Sequence, residues 1–145
     1  RESLASNMLT ESLLYQTFYQ VLVDYPTGKR QQSGLADDYF IAAMTFLEDN
    51  FEDPACSVSE LCQHLGLSRS YVYNLFKNKT DLSPQQFLTK LRMERAKELL
   101  SNSDLNVQAI SHFVGYNDSF TFSKAFKRYQ GLSPKSWRQI KNAGN

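Results

Sequence analysis

The C-terminal part of this 145-residue sequence repeats itself, and the repeat constrains the fold more than any other feature. The segment that begins at Val58 (VSELCQHLGLSRSYVYNLFKNKTDLSP) is matched 49 to 50 positions later by the segment that begins at Val107 (VQAISHFVGYNDSFTFSKAFKRYQGLSP). Gly66 corresponds to Gly115, and the tripeptide Leu-Ser-Pro ends both copies. A period of this kind indicates two copies of one supersecondary unit.

Each copy is predicted to consist of two helices joined by a tight turn. Apolar residues recur every three or four positions, which is the period of a helix, and glycine permits the sharp turn between the helices. Ser68 and Asp118 occupy the same position before the second helix of each copy and are suitable N-caps. Ser57, in a capping box with Glu60, and Asn106 are the equivalent caps of the first helices. The pattern is typical of a helix-turn-helix, whose second helix can enter the major groove of DNA.

The remaining segments are also predicted to be helical or to link helices. Residues 83–103 predict a helix of about 27 Å that joins the two units. Residues 1–25 are predicted to contain an apolar helix, and residues 26–36, rich in polar and turn-forming types, to be a linker. Residues 37–145 then form one domain, whose first helix opens near Asp37. The predicted fold class is all-α: two helix-turn-helix units joined by a long central helix, preceded by an extra N-terminal helix.

The formal net charge of +1 is the sum of two unlike halves of the chain. Residues 1–65 carry a net charge of −7 and residues 66–145 a net charge of +8. From Ser119 onward the sequence has six basic residues and no acidic one. Such a separation favours a nucleic-acid partner for the basic half, with the acidic half turned away from the phosphates.

Helical periodicity separates core from surface on the second helix of each unit. The predicted core stripes are Val72, Leu75 and Phe76 in the first unit and Phe122, Ala125 and Phe126 in the second. The outward residues are the base-reading candidates: Arg69, Ser70, Tyr73, Asn74, Ser119, Phe120, Ser123 and Lys124. Arg and Lys can donate to guanine, Asn can pair with adenine, and an aromatic ring can contact the thymine methyl group.

An ordinary solvated face is the competing interpretation of these outward residues. Tyr73 and Phe120, which we interpret as outward aromatics at equivalent sites of the two helices, favour contact with a partner. The predicted phosphate contacts are the remaining cations of the two units and the C-terminal end: Lys77, Lys79, Lys127, Arg128, Lys135, Arg138 and Lys141.

Other function classes have little support in the sequence. We find no nucleophile elbow, no phosphate-cradling glycine loop and no metal-ligand set, so we expect no enzyme, no metal and no cofactor. Cys56, Cys62 and His64 match no usual zinc spacing, and the cysteines are interpreted as reduced, buried thiols. His64 and His112 are interpreted as surface or helix-end residues. No apolar run is long enough for a transmembrane helix, so we expect no membrane partner.

Residues 37–142 resemble the DNA-binding domain of bacterial transcription regulators of the AraC/XylS family. The resemblance rests on three motifs: GLSRSYVYNLFKNKT at 66–80, RMERAKELL at 92–100 and VQAISHFVGYNDSFTFSKAFKRYQGLSP at 107–134. It implies base contacts from the helices that follow Ser68 and Asp118. Three features depart from the family pattern. Asp81 replaces a glycine, Phe120-Thr121 replaces a more usual Ser-Tyr pair, and Cys62 replaces a small alanine.

The resemblance also implies what the rest of the protein does. It implies a cytoplasmic, sequence-specific regulator, commonly an activator, that inserts two recognition helices into successive major-groove segments of double-stranded DNA. RNA polymerase is the implied protein partner. Members usually carry an N-terminal sensor domain and dimerising helices, so we expect this chain to be a fragment and residues 1–25 to be the end of such a region. A homodimer through that helix or the absent domain follows as an expectation. The alternative function is a helical protein-interaction module without DNA binding.

Overall fold

A computed structural model describes residues 32–144, and within that range the chain is helical without strands. The seven helices of this range are α1 (Gln32–Asn50), α2 (Val58–Leu65), α3 (Arg69–Thr80), α4 (Pro84–Asn102), α5 (Val107–Phe113), α6 (Ser119–Gln130) and α7 (Pro134–Ala143). The first unit is α2 with α3, and the second unit is α5 with α6. The prediction of an all-α fold with two helix-turn-helix units and a long central helix is confirmed. None of the described helices combines the length and apolar character needed to cross a membrane.

The first helix begins earlier than the sequence predicts. Helix α1 starts at Gln32, so the predicted linker 26–36 is wrong for its last five residues, and the helix does not open near Asp37. A single glycine in a helix costs only about 1 kcal/mol relative to alanine. The burial of Phe40 of α1 in the core of the first unit offsets this cost, so the helix tolerates Gly34. The predicted N-terminal helix (1–25) and residues 26–31 lie outside the described residues.

The helix starts after Ser57, Ser68, Asn106 and Asp118 follow the predicted caps. Each cap side chain accepts a hydrogen bond from the backbone amide three residues later: Ser57, Ser68, Ser83, Asn106, Asp118 and Ser133. Ser83 and Gln86 form a reciprocal capping box. Ser57 accepts from the Glu60 amide, which is half of the predicted box. Such caps each stabilise a helix by about 1 kcal/mol, so the register of α3 and α6 is fixed locally by the sequence.

Two separate hydrophobic cores lie along the central helix. The N-terminal half of α4 contributes Phe87, Leu88 and Leu91 to the core of α1, α2 and α3. Its C-terminal half contributes buried residues from Met93 onward to a second core built with α5 and α6 and flanked by Trp137 of α7. The predicted core stripes are buried apart from Ala125, which is half-buried. Helix α4 thus carries one unit on each half, over about 28 Å.

Arg92 lies at the junction between the two cores. Its side chain is buried, and its guanidinium donates to the carbonyl oxygens of Phe51 (2.9 Å), Asp53 (3.1 Å) and Cys56 (3.3 Å). The same guanidinium lies 5.6 Å from the ring centroid of Tyr116, in the turn of the second unit. Burial lowers the pKa of this guanidinium from its usual value. Arg92 therefore ties the segment before α2 to the second unit.

The turns also differ between the two units. Gly66 (φ 66°), Gly115 (φ 92°) and Gly131 (φ 85°) have left-handed backbone. Asp81, at the position that corresponds to Gly131, has φ 62° and is the only non-glycine residue with positive φ among residues 32–144. Lys77 Nζ donates to the Asp81 carbonyl oxygen at 3.1 Å. A non-glycine residue in this region costs about 1–2 kcal/mol, so the departure from the family pattern at Asp81 introduces local strain.

Candidate nucleic-acid interface

The outward face of α3 carries all four base-reading candidates of the first unit. Arg69, Ser70, Tyr73 and Asn74 are exposed, while the opposite stripe of the helix is buried. The four side chains line a groove of about 670 Å³ whose other wall is formed at the start of α4 by Ser83, Pro84 and Gln85. The Ser68 cap holds the first turn of α3, because its hydroxyl accepts from the Tyr71 amide at 3.2 Å. The N-terminal half of the helix therefore presents donors and acceptors at defined positions.

The outward face of α6 is more apolar. Phe120 is 72% exposed, and Lys124 Nζ lies 5.1 Å from its ring centroid. Ser119 and Ser123 are half-buried, so the prediction that they face outward is met only in part. The Asp118 carboxylate accepts from the Thr121 amide at 2.7 Å and from the Thr121 hydroxyl at 2.8 Å. These hydrogen bonds lower the pKa of Asp118, so the cap is charged at neutral pH.

The two exposed aromatics do not occupy equivalent sites, and the interpretation from the sequence is wrong on this point. Counted from the caps, Tyr73 is the fifth residue after Ser68, whereas Phe120 is the second residue after Asp118. The one-residue insertion in the second copy shifts the pairing from 49 to 50 positions before these helices begin. The outward faces of α3 and α6 therefore differ in the residues that they carry and in the positions of those residues along the helix.

Four of the seven predicted phosphate contacts are exposed cations on α6 and α7. These are Lys127, Arg128, Lys135 and Lys141. Lys141 Nζ packs 4.7 Å from the ring centroid of Trp137, which also has Lys97 Nζ at 5.2 Å. Lys77 is half-buried and donates to the Asp81 carbonyl, so its ammonium is held beside the end of α3.

The structure corrects the assignment of Arg138 and Lys79. Arg138 donates to the carbonyl oxygen of Leu100 (3.1 Å) in the last turn of α4 and to those of Ser103 (3.4 Å) and Leu105 (2.6 Å) just after the helix. Lys79 pairs with Asp37 of α1, and its side chain is only 11% exposed. Both cations therefore hold helices together rather than face a partner.

A second groove, of about 700 Å³, lies between the two units. Leu82 and the start of α4 form one wall, and α6 forms the other; the polar lining includes Gln85, Gln86, Lys90, Arg128 and Tyr129. Tyr129 donates to Glu94 Oε1 at 2.8 Å, which joins α6 to α4. Gln85 lines this groove and the groove beside α3, so the two grooves meet at the start of α4. Gln85 and Lys90 were not among the residues predicted from the sequence, although both fall on the polar side of the predicted central helix.

The cysteines and histidines are not among the residues assigned to this interface. Cys56 and Cys62 are free and buried, and burial raises the pKa of the Cys56 thiol. His64 and His112 are exposed at the ends of α2 and α5, as predicted. Among residues 32–144 no group of three or more His, Cys, Asp or Glu side chains could hold a metal ion.

Sequence comparison relates the chain to known regulators. A family described as "Helix-turn-helix domain" matches residues 61–140. The raffinose operon transcriptional regulatory protein RafR of Pediococcus pentosaceus is 47% identical over 137 residues, which cover 94% of this chain and 49% of that protein. The chain spans about half the length of the curated relatives it matches.

Structure comparison agrees. The C-terminal domain of AraT, a response regulator from Geobacillus stearothermophilus, has 30% sequence identity and a TM-score of 0.68 over 70% of this chain and 84% of that one. The DNA-binding domain of AdpA, solved with a target DNA, shares the fold at 23% identity, with a TM-score of 0.66 over 72% of this chain and 94% of that one. On the matched family, the relatives and the two-unit fold, this chain belongs to the AraC/XylS family of helix-turn-helix transcription regulators.

Proposed function

We propose that the chain binds double-stranded DNA in a sequence-specific manner, with α3 and α6 in successive major-groove segments. The base-reading residues of this proposal are Arg69, Ser70, Tyr73, Asn74, Ser119, Phe120, Ser123 and Lys124. The observation that carries it is that both units hold their second helix by a side-chain cap and a buried stripe, with the opposite face exposed. Recognition helices read base edges with their N-terminal residues, and the exposed candidates lie in the first half of each helix.

The regulatory activity is proposed for the whole protein. RafR is named as the transcriptional regulatory protein of a raffinose operon, and a relative from Staphylococcus xylosus is named as a lactose operon transcription activator. By this analogy the full-length protein regulates an operon from the cytoplasm, and activation through contact with RNA polymerase is the proposed outcome.

We also propose that residues 1–25 come from the end of a sensor or dimerisation region, with a linker before α1. The apolar residues Leu14, Phe18 and Leu22 recur at helical spacing in that segment and support a contact with a second copy. Sedimentation of the chain with these three residues changed to Ser tests the idea. We expect the parent to dimerise and the variant to be monomeric, whereas the same oligomeric state in both would contradict it.

Salt dependence of duplex binding tests the DNA proposal against a protein-interaction module. Neutralising about six phosphates gives a slope of about −5 in log K against log salt, or about a thousandfold loss between 50 and 200 mM salt. The measurement is a fluorescence anisotropy titration with a random-sequence duplex. Absence of duplex binding at the lower salt concentration would favour the protein-interaction module.

Asn74→Ala and Lys124→Ala are expected to weaken binding to the preferred site by about 1–3 kcal/mol and to relax base preference locally. Each change removes a donor from the exposed face of one recognition helix. Thr45→Ala, at an exposed position of α1, is the control and should bind as the parent does. Titration against a selected duplex and against single-base variants of it measures both effects. Unchanged preference in Asn74→Ala would show that α3 reads DNA with another face.

Lys127→Ala and Arg138→Ala are expected to separate phosphate contact from structural support. Lys127 is exposed on α6, so its removal should weaken binding to all sequences alike and reduce the salt slope by about 0.9. Arg138→Ala leaves three carbonyl oxygens without their donor, so it should lower the free energy of unfolding by about 2 kcal/mol and leave the slope unchanged. Titrations at several salt concentrations and urea denaturation measure the two effects. A reduced salt slope in Arg138→Ala, with the free energy of unfolding unchanged, would contradict the structural role of Arg138.

A further inference from the structure

Phe120 is an exposed aromatic residue in the first turn of α6. It is 72% exposed, more than any other large hydrophobic residue of the described range, and it is the second residue of α6. Isolated exposed apolar residues are common on protein surfaces. The N-terminal turn of a recognition helix, however, is the part that meets base edges. An aromatic ring at this position therefore lies where it can be buried against DNA.

The neighbours of Phe120 restrict what α6 can read. The Thr121 hydroxyl and the Asp118 carboxylate are bonded to each other and cap the helix. Ser119 and Ser123 are half-buried, and the exposed Thr121 uses its hydroxyl in the cap, so the Phe120 ring and the Lys124 ammonium are the largest outward groups of the first two turns. The ammonium lies 5.1 Å from the ring centroid, so it covers part of one ring face and leaves the rest of the ring accessible.

The bases differ in what they offer to such a pair. An aromatic ring makes favourable apolar contact with the C5 methyl group of thymine, whereas adenine and cytosine are read by amide or carboxylate side chains. No Asn, Gln, Asp or Glu lies between Ser119 and Tyr129, and the Asp118 carboxylate is already bonded within the cap. The outward groups of α6 thus match thymine best at Phe120.

We propose that Phe120 sets the specificity of the second unit by packing against a thymine methyl group in the major groove. The inference rests on the proposed function and deepens it. The first unit presents Arg69 and Asn74, which suit guanine and adenine. The two half-sites are therefore chemically different, and this difference fixes the direction in which the protein lies on the duplex.

Replacement of thymine by uracil tests the contact, because it removes only the methyl group. Every thymidine of a duplex selected from a random pool is replaced singly by deoxyuridine, and Kd is measured for each duplex. Burial of one methyl group contributes about 0.8 kcal/mol, so one position should weaken binding of the parent about fourfold. In Phe120→Ala the effect of uracil at that position should disappear.

Two further variants test whether the effect of uracil depends on the apolar side chain at position 120. Phe120→Leu keeps an apolar side chain and should retain part of the uracil effect. Tyr73→Ala, which removes the exposed ring of the other recognition helix, should leave the effect at that position unchanged. Because Phe120 is exposed, all variants should unfold at the temperature of the parent, as thermal denaturation would show.

The outcomes separate this inference from the proposed function. Specific, salt-dependent binding in which no uracil position weakens the parent would overturn the inference and leave the proposed function standing. The same holds if Phe120→Ala keeps the full uracil effect. Absence of duplex binding by the parent would overturn both.

Discussion

Replacing Gly115 by alanine is expected to lower the free energy of unfolding by about 3–5 kcal/mol. Gly115 has φ 92°, a backbone conformation that side chains disfavour. A Cβ atom at this position would lie 2.5 Å from the Phe51 carbonyl oxygen and 2.9 Å from Arg92 Nε. These two atoms form a hydrogen bond with each other, so the methyl group would displace the junction between the units as well as strain the turn.

Gly66→Ala is the control for the backbone contribution alone. Gly66 occupies the same position in the first unit and has φ 66°, but no atom lies within 4 Å of a Cβ built there. We expect a loss of about 1–2 kcal/mol, because only the left-handed conformation is disfavoured. Urea denaturation of the two variants measures the difference. Equal losses would mean that the close approach of Gly115 to Phe51 contributes nothing.

Arg92→Met is expected to cost a similar amount, about 3–5 kcal/mol, through the loss of hydrogen bonds rather than through a clash. The substitution keeps an unbranched side chain but removes the buried donor from the carbonyl oxygens of Phe51, Asp53 and Cys56. The Asp53 oxygen still accepts from the Cys56 amide at 3.0 Å. Each buried acceptor that loses its partner costs about 1–3 kcal/mol, less where water can reach it. Asp53 is exposed and Phe51 is half-buried, so water can hydrogen-bond to their carbonyl oxygens and offset part of the summed cost in stability.

Arg92→Met should also reduce the cooperativity of unfolding. Both hydrophobic cores take residues from α4, and Arg92 lies between the residues that each core takes from that helix. Without this junction the second unit and the first should unfold at different urea concentrations, which appears as a broader transition with a lower apparent m value. Arg95→Met on the same helix is the control: Arg95 pairs with Glu98 of α4 at 2.9 Å and packs against the Phe113 ring of the second unit, so its loss should leave the contact between the units in place. A sharp, two-state transition in Arg92→Met would contradict the role of this residue as the junction.

The repeat made much of the fold predictable. Because caps and core stripes are local features, Ser68, Asp118 and the buried Phe76 and Phe126 could be assigned from spacing alone. Helix α7 was not predicted. Its start at Ser133-Pro134 repeats the Ser83-Pro84 start of α4, and this cap followed by proline would have indicated a helix.

The parts that could not be predicted depend on tertiary contacts of long side chains. Arg138 and Lys79 lie outside the apolar stripes that helical periodicity assigns to the core. Each nevertheless reaches a partner that is distant in sequence. Arg92 was visible as part of a motif, but its role depends on three carbonyl oxygens about 40 residues earlier. The direction in which a flexible cation turns is decided by the acceptors that the fold brings near it. Spacing on one helix does not contain that information.

Selection of binding sites from a random duplex pool tests whether one chain reads DNA with both α3 and α6. If α3 and α6 both read DNA from one chain, the selected sequences should contain two conserved segments whose centres lie about 10 base pairs apart, one helical turn. The two segments should differ, because the exposed residues of α3 and α6 differ. Enrichment of a single segment, or of none, would contradict a chain that reads DNA with both units.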